Sequence, residues 1–422
     1  MTFAPLARFI TASGLTNLGD GIATIAWAWT ASLMTRDPLL IAVVPVALRL
    51  PWAIFAVPAG IVTDRVDRRK LILLMDLVRA LAFAAAGLAI WSSLPFPSPP
   101  EAGVATTLGF VALVAAALTV GAAEVFRDNA AQTMLPALVP HERLEAANGR
   151  LWSVELTSNA LVGPPLGATI LVGMGLSLPF AANAVLYAIA AVMIASMIGR
   201  FQPQRETRQS WRTELAEGIV FLRHAPLLRT LAWLTGWWNL FFQMVVIALV
   251  LHVQENLGLS SVSYGLVLAA GAVGGIIGGL CGEAVVRAIG PVRAAQWSLL
   301  ASLPCIAAVA FARDAVSLGV VLALFEFAGL VWNTVSVSTR QRMIPDRLLG
   351  RVNSVYRLLA WGMMPLGLLL SGLIVRISGS VMTRDAALTA PFFVAAMGIG
   401  IVAIAGWRPL RNGLSQTPPD SH

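Results

Sequence analysis

GIVTDRVDRRK, Gly60 to Lys70, is a short charged segment between two long apolar runs, 38–60 and 71–92. Each run has about the 20 apolar residues that an α-helix needs to cross a bilayer. The segment between them packs Arg65, Arg68, Arg69 and Lys70 into six positions, and basic loops of this kind stay on the cytoplasmic side. The stretch therefore reads as a transmembrane hairpin with its turn in the cytoplasm. Gly60, with no Cβ, is expected to let the helix end approach a neighbour closely. Asp64 lies beside the cations, and a carboxylate–cation pair there can serve as a cytoplasmic latch. The alternative is that the arginines act only as anchors.

Outward from this hairpin, apolar runs and polar loops alternate along the whole chain. They give twelve spans near 9–34, 38–60, 71–92, 104–128, 150–173, 178–199, 228–252, 263–284, 294–312, 316–338, 354–375 and 388–407. Composition agrees. Of 422 residues, 58% are hydrophobic and 12% charged, about half the charged share of a soluble domain. Most soluble enzymes, nucleic-acid binders and disordered chains are excluded on that ground. The first run lacks the short core and small-residue cleavage site of a secretory leader, so it is expected to stay as a span. Lys70 is the sole lysine and follows Arg69, so neither an ATP-binding Walker A loop nor a lysine Schiff base is expected. The histidines (His141, His224, His252, His422) form no metal-binding pair, and no cofactor is expected. Cys281 and Cys305 lie in apolar runs and read as buried thiols rather than a disulfide. No nucleophile–base constellation points to an enzyme.

The net charge of +8 reads as a record of topology. Arg143, Arg212, Arg293, Arg347 and Arg411 fall on the same side as the basic hairpin, whereas the opposite loops hold Arg36, Arg313, Arg376 and Arg384. That bias places both termini in the cytoplasm and the chain in the cytoplasmic (inner) membrane. The longest polar cytoplasmic stretch divides the chain into a six-helix bundle at 1–199, a linker at 200–225, a second six-helix bundle at 226–407 and a tail at 408–422. The halves are related. Pro140 and Pro345, Asn148 and Asn353, and Gly167 and Gly372 correspond at one offset, and the Gly60–Asp64 pair corresponds to Gly279–Glu283 at another. The long loop Ser92 to Ala105 accounts for the difference. Two parallel copies of a helical unit are a transporter signature.

With these residues in view, the chain resembles the major facilitator superfamily over essentially its whole length. Gly60 to Lys70 resembles that superfamily's loop signature, with Asp67 where glycine is usual. Together with Asn17-Leu18-Gly19-Asp20-Gly21 and LPALVPHERLEAANG (Leu135 to Gly149), it is similar to the enterobactin-exporter-like and macrolide-efflux-like branch. Gly163-Pro164-Pro165-Leu166-Gly167 resembles the antiporter motif, with Ala168 in place of a second glycine and Asn159 where another is usual. Its Gly and Pro residues permit a bend and tight packing, expected at the interface between bundles. The resemblance implies an all-α fold of two pseudo-symmetric six-helix bundles. It also implies a central cavity lined by the first, fourth, seventh and tenth spans, and alternating access. The expected activity is proton-coupled export of a hydrophobic small molecule such as a drug, secondary metabolite or siderophore, by a monomer without nucleic-acid partners. An importer or facilitator of a nutrient or lipid, or a non-transporting sensor or assembly subunit, are the other readings.

Ionisable side chains inside a membrane are costly and are functional candidates by default. Asp20 is in the first span, with Asn17 and Thr24 on the same helical face. It reads either as a proton or cation carrier or as an inter-helix hydrogen-bond partner. Glu124, Arg127 and Asp128 share a face of the fourth span, where Arg127 can neutralise either acid. Glu124 is the deeper coupling candidate. Glu326 lies mid-way along the tenth span, with Asn333 two turns on. Asp76 and Arg79, three apart in the third span, are expected to brace the hairpin latch. Arg49 has Asp20 or Glu155 as possible partners. In the seventh span, Trp237 reads as an interfacial or lipid-facing residue or as a cavity wall, and Asn239 and Gln243 favour an inward face. The sixth, ninth and twelfth spans carry no charge and read as peripheral.

Overall fold

The computed structural model describes residues 4–63, 65–140, 143–199, 201 and 211–415, and every regular element among them is helical. Eleven stretches among the described residues are long and apolar enough to cross a membrane. Helix α1 (Ala4–Met34) falls outside that set because Ser13, Thr16, Asn17, Asp20 and Thr24 dilute its apolarity. Its 31 residues still extend about 46 Å, which supplies the twelfth crossing by length.

Two compact units divide the chain: Met1–Arg208 with Ser260–Ala269, and Gln209–Leu259 with Ala270–His422. The first contains α1, α2 (Pro38–Thr63), α3 (Arg68–Ser92), α4 (Thr107–Met134), α5 (Leu144–Leu156), α6 (Gly163–Met174) and α7 (Leu178–Ala195). Its partners are α1 with α6 and α7, α3 with α4 and α7, and α2 with α4. One core gathers Phe9, Ile72, Met134, Leu135 and Ile194. The fifth span is not one continuous α-helix. Pro164 and Pro165 have no N–H to return to the carbonyls one α-turn earlier. The chain widens into a π-helical segment, Thr157–Val162, between α5 and α6, and the Gly163 amide bonds Ser158 instead.

Helices α8 (Trp211–His224), α9 (Pro226–Leu251), α10 (Ser261–Ile289), α11 (Pro291–Val309), α12 (Ala315–Met343), α13 (Asp346–Trp361), α14 (Met364–Ser378) and α15 (Arg384–Ser415) follow. Within the second unit α9 meets α14 and α15, and α11 meets α12 and α15. This repeats the pairing of α1 with α6 and α7 and of α3 with α4 and α7, as the internal sequence repeat leads one to expect. The described end of the polar linker is ordered as α8. Leu215, Phe221 and Leu222 join the second unit's core beside Val352 and Tyr356, so α8 packs as part of that unit. Cys281 and Cys305 are free thiols; Cys281 is exposed rather than buried.

Both units have apolar cores, and their surfaces are apolar as well. Leu280 is 79% exposed, Leu108 73%, Leu81 71% and Ile404 77%, while Asp76, Arg79 and Arg127 are buried. So many large apolar side chains on the surface suit a hydrocarbon surrounding.

Candidate functional site

In α1, Asn17, Asp20 and Thr24 share one face and all are at least partly accessible. The Asp20 carboxylate is held by two donors on one oxygen, Oδ1. The Arg79 guanidinium reaches it from α3, and the Tyr187 hydroxyl donates from α7 at 2.6 Å. Arg79 also donates to the Tyr187 hydroxyl at 2.6 Å and lies over its ring, 4.2 Å from the centroid. Phe83 also stacks on the Tyr187 ring, with centroids 5.4 Å apart. Arg79 and Tyr187 are buried, whereas the Asp20 side chain is 26% exposed. Its second oxygen has no hydrogen bond among the described residues.

Asp76, one turn earlier in α3, turns to α4 and lies 3.6 Å from Arg127 Nε. Arg127 also donates to Ser13 at 3.2 Å and Thr16 at 2.9 Å on α1, and pairs with Asp128 at 3.4 Å. It does not pair with Glu124. That acid instead meets Arg49 of α2 at 4.0 Å, so Arg49 takes neither Asp20 nor Glu155 as its partner. Asp76 and Arg79 therefore tie α3 to α1, α4 and α7 rather than bracing the hairpin. They stand about 12 and 16 Å along α3 from its first residue, out of reach of the turn.

The hairpin does different work. Asp67 caps α3 by accepting from the Lys70 amide at 3.2 Å and accepts from the Phe201 amide at 3.3 Å, which accounts for a carboxylate where glycine is usual. Arg68 donates to the Thr133 carbonyl at 2.8 Å, and Arg69 to the carbonyls of Ile194 and Ala195. These carbonyls lie in the last turns of α4 and α7, where cations are favoured. Arg65 is exposed. Gly60 is not a close-approach residue, since a Cβ added there meets nothing within 4 Å. Asp64 lies outside the described residues.

The antiporter-like motif packs against α1 on one side and against the start of α10 on the other, where a Cβ on Gly265 would lie 2.9 Å from the Pro164 carbonyl oxygen and 3.1 Å from the Ala168 methyl. A Cβ on Gly163 would lie 2.5 Å from Gly21 Cα, and one on Gly167 would lie 2.7 Å from the Ile22 carbonyl oxygen. Pro164 is buried between them in sequence. Asn159, in the π-helical segment, donates to Asn17 at 3.4 Å, so a glycine at that position would lose this link. The second unit repeats the close approach: a Cβ on Gly367 of α14 would lie 2.1 Å from the Leu240 carbonyl of α9.

In the second unit Glu326 sits on α12, facing Gly271 and Gly275 of α10, whose added Cβ atoms would lie 3.7 Å from its side chain. No ion pair or hydrogen bond reaches its carboxyl among the described residues. Beside it Phe325 stacks on Trp238 at 5.3 Å and on Phe242 at 5.5 Å. Asn333, two turns along the same helix, is exposed. Asn239 is buried and donates to the Ala360 carbonyl at 3.0 Å, and Gln243 is buried one turn on. Trp237 projects about 200° around α9 from Asn239, into a separate groove with Phe241. Trp237 and Asn239 do not share a cavity wall.

Tyr187 is the residue that sequence reasoning passed over. It lies in a span read as peripheral for lack of charge, yet its hydroxyl completes the Asp20 site. It is one of three tyrosines in the chain, and a hydroxyl within an apolar span was the available signal.

A helical membrane protein of two units with matching packing, and with carboxylates held inside its spans, is by class a membrane transporter. The family model of the Major Facilitator Superfamily matches residues 9–368, and the chain belongs to that family. It is 26% identical to the multidrug efflux pump Tap of Mycolicibacterium fortuitum over 421 residues, covering 95% of each chain. It is 26% identical to the enterobactin exporter EntS of Shigella boydii serotype 4 (strain Sb227), covering 83% of this chain and 79% of that one. Among solved structures, the nucleoside transporter NupG (D323A mutant) has the same fold, with a TM-score of 0.76, 12% identity, and coverage of 97% and 100%.

Proposed function

We propose that this transporter is a proton-coupled exporter of moderately hydrophobic small molecules, a drug, secondary metabolite or siderophore. It works as a monomer in the cytoplasmic membrane with both termini in the cytoplasm. The names of the relatives support export. The observation that carries the coupling is Glu326, a carboxyl inside α12 with no cation and no hydrogen bond among the described residues. A bare carboxylate is costly in hydrocarbon. A protonated carboxyl is not, so the side chain suits a group that takes a proton where water reaches it and releases it in another state. Asp20 is held by Arg79 and Tyr187 on one oxygen and leaves the other available, which suits a contact for a substrate cation or a second proton. Glu124, beside Arg49, is the remaining coupling candidate. Asn17, Thr24, Asn239, Gln243 and Asn333 supply polar contacts to substrate. The bundles alternate access, and protonation of the acids shifts the population between the two states.

Everted membrane vesicles test the direction. Imposing an inside-acid gradient is expected to drive accumulation of at least one dye or drug from a hydrophobic panel, with loss on adding a protonophore. Accumulation only in right-side-out vesicles would overturn the export reading in favour of import.

A further inference from the structure

Helices α9 and α15 run along each other in the second unit, joined by large side chains set against glycines. A Cβ on Gly398 would lie 2.1 Å from the Phe241 ring, and one on Gly406 would lie 2.9 Å from Leu234. Beside this seam is a groove of about 480 Å³ lined by Arg229, Trp233, Trp237 and Phe241 of α9 and by Ile401 and Ala405 of α15, among others. Trp233, Trp237 and Ile401 are exposed, so the groove opens on the apolar surface of the unit rather than into its core. From Arg229 to Phe241 it follows about 18 Å of helix, close to the half-thickness of about 15 Å that one leaflet contributes to the hydrocarbon core. One end is apolar and aromatic. The other carries Arg229, an exposed cation in the first turn of α9. It gives one donor to the Arg223 carbonyl at 3.2 Å and has no carboxylate partner among the described residues. A guanidinium has five N–H donors, so most remain available. Exposed Arg223 lies on α8 at this end, and exposed Arg408 follows the groove-lining Gly406 along α15.

The geometry points to a binding site for one anionic phospholipid, with an acyl chain along the Trp233–Trp237–Phe241 groove and the headgroup phosphate on Arg229. The match of groove length to one leaflet and the single cationic end favour a lipid over a transported drug. Guanidinium–phosphate pairing is strong and planar, and it discriminates a net-anionic headgroup from a zwitterionic one with the same acyl chains.

Native mass spectrometry of the full chain, stripped of lipid in detergent and titrated with palmitoyl-oleoyl phosphatidylglycerol or phosphatidylcholine, tests this. The wild-type chain is expected to retain one phosphatidylglycerol about fivefold more tightly than phosphatidylcholine, the ratio for about one cation at the membrane surface. Arg229→Gln, at an exposed position that leaves folding intact, is expected to bring phosphatidylglycerol down to the phosphatidylcholine level. Arg229→Lys is expected to restore part of the preference. Ala405→Trp, which fills the groove from an exposed position, is expected to remove both lipids with an unchanged melting temperature. Equal retention of the two lipids by the wild-type chain, or retention unaffected by Arg229→Gln, would overturn the assignment.

Discussion

The Tyr187 hydroxyl donates to the same oxygen of Asp20 that the Arg79 guanidinium reaches, so a buried cation and a phenol clamp one carboxylate where α1, α3 and α7 meet. The first unit pairs four acids within its spans with arginine: Asp20 with Arg79, Asp76 and Asp128 with Arg127, and Glu124 with the more distant Arg49; Glu155, near the end of α5, has no ion pair among the described residues. The second unit leaves Glu326 without such a partner among its described residues. The central acids of the two units therefore differ: Asp20 is clamped by a cation and a phenol, and Glu326 is not.

Arg79→Gln leaves Asp20 and the Tyr187 hydroxyl without their cation. Removing one partner of a buried pair costs about 3–5 kcal/mol, whereas Tyr187→Phe removes hydrogen bonds of about 1 kcal/mol each and keeps the ring against Phe83. Thermal unfolding in detergent is expected to show a much larger fall for Arg79→Gln than for Tyr187→Phe, with Asp20→Asn/Arg79→Gln recovering part of the loss. Equal falls for the two single variants would show that the ion pair is not what holds the three helices.

Gly163→Ala and Gly60→Ala are expected to differ in kind. At Gly163 the new methyl meets the α1 backbone at 2.5 Å and has nowhere to go, while at Gly60 it enters open space within α2. Alanine there is expected to stabilise α2 by about 0.5–1 kcal/mol. Size-exclusion profiles and melting curves of the two variants report this directly, with aggregation or a lowered melting temperature for Gly163→Ala alone.

Asp67→Ala removes the cap of α3 and its link to Phe201. The expected loss is about 1 kcal/mol, and Asp67→Gly should cost only a few tenths through the cap. Hydrogen exchange of the amides at 68–71 should quicken in Asp67→Ala more than in Asp67→Gly. Identical exchange to wild type would mean that the cap carries no stability.

The architecture was largely legible because a bilayer writes itself into apolar runs and arginine placement. The halves were legible because repeated units keep proline, asparagine and glycine in register. Partner choice was less so. Proximity in sequence points Arg79 to the hairpin, but it packs by helix neighbourhood, and α3 meets α7 only in three dimensions. Gly60 and Gly163 carry the same letter in two motifs, and only the space around each separates a close contact from an open one. The π-helical segment Thr157–Val162 follows from Pro164 and Pro165 in hindsight. The pair was visible in the sequence, but how the helix would absorb two missing donors was not. Glu326 was legible as an acid in a span, but its lack of a cation was not, because that is a property of α10 and its glycines.

Substrate-dependent proton movement in proteoliposomes, read by an internal pH-sensitive dye, tests the coupling most directly. Wild-type protein is expected to move protons when a transported member of the hydrophobic panel is added. Glu326→Gln is expected to retain its fold and lose that proton movement, and Glu326→Asp to keep part of it. Proton movement by Glu326→Gln at the wild-type rate would contradict the assignment of Glu326 as the coupling group. Substrate movement by the wild-type protein with no proton flux at all would contradict proton coupling itself.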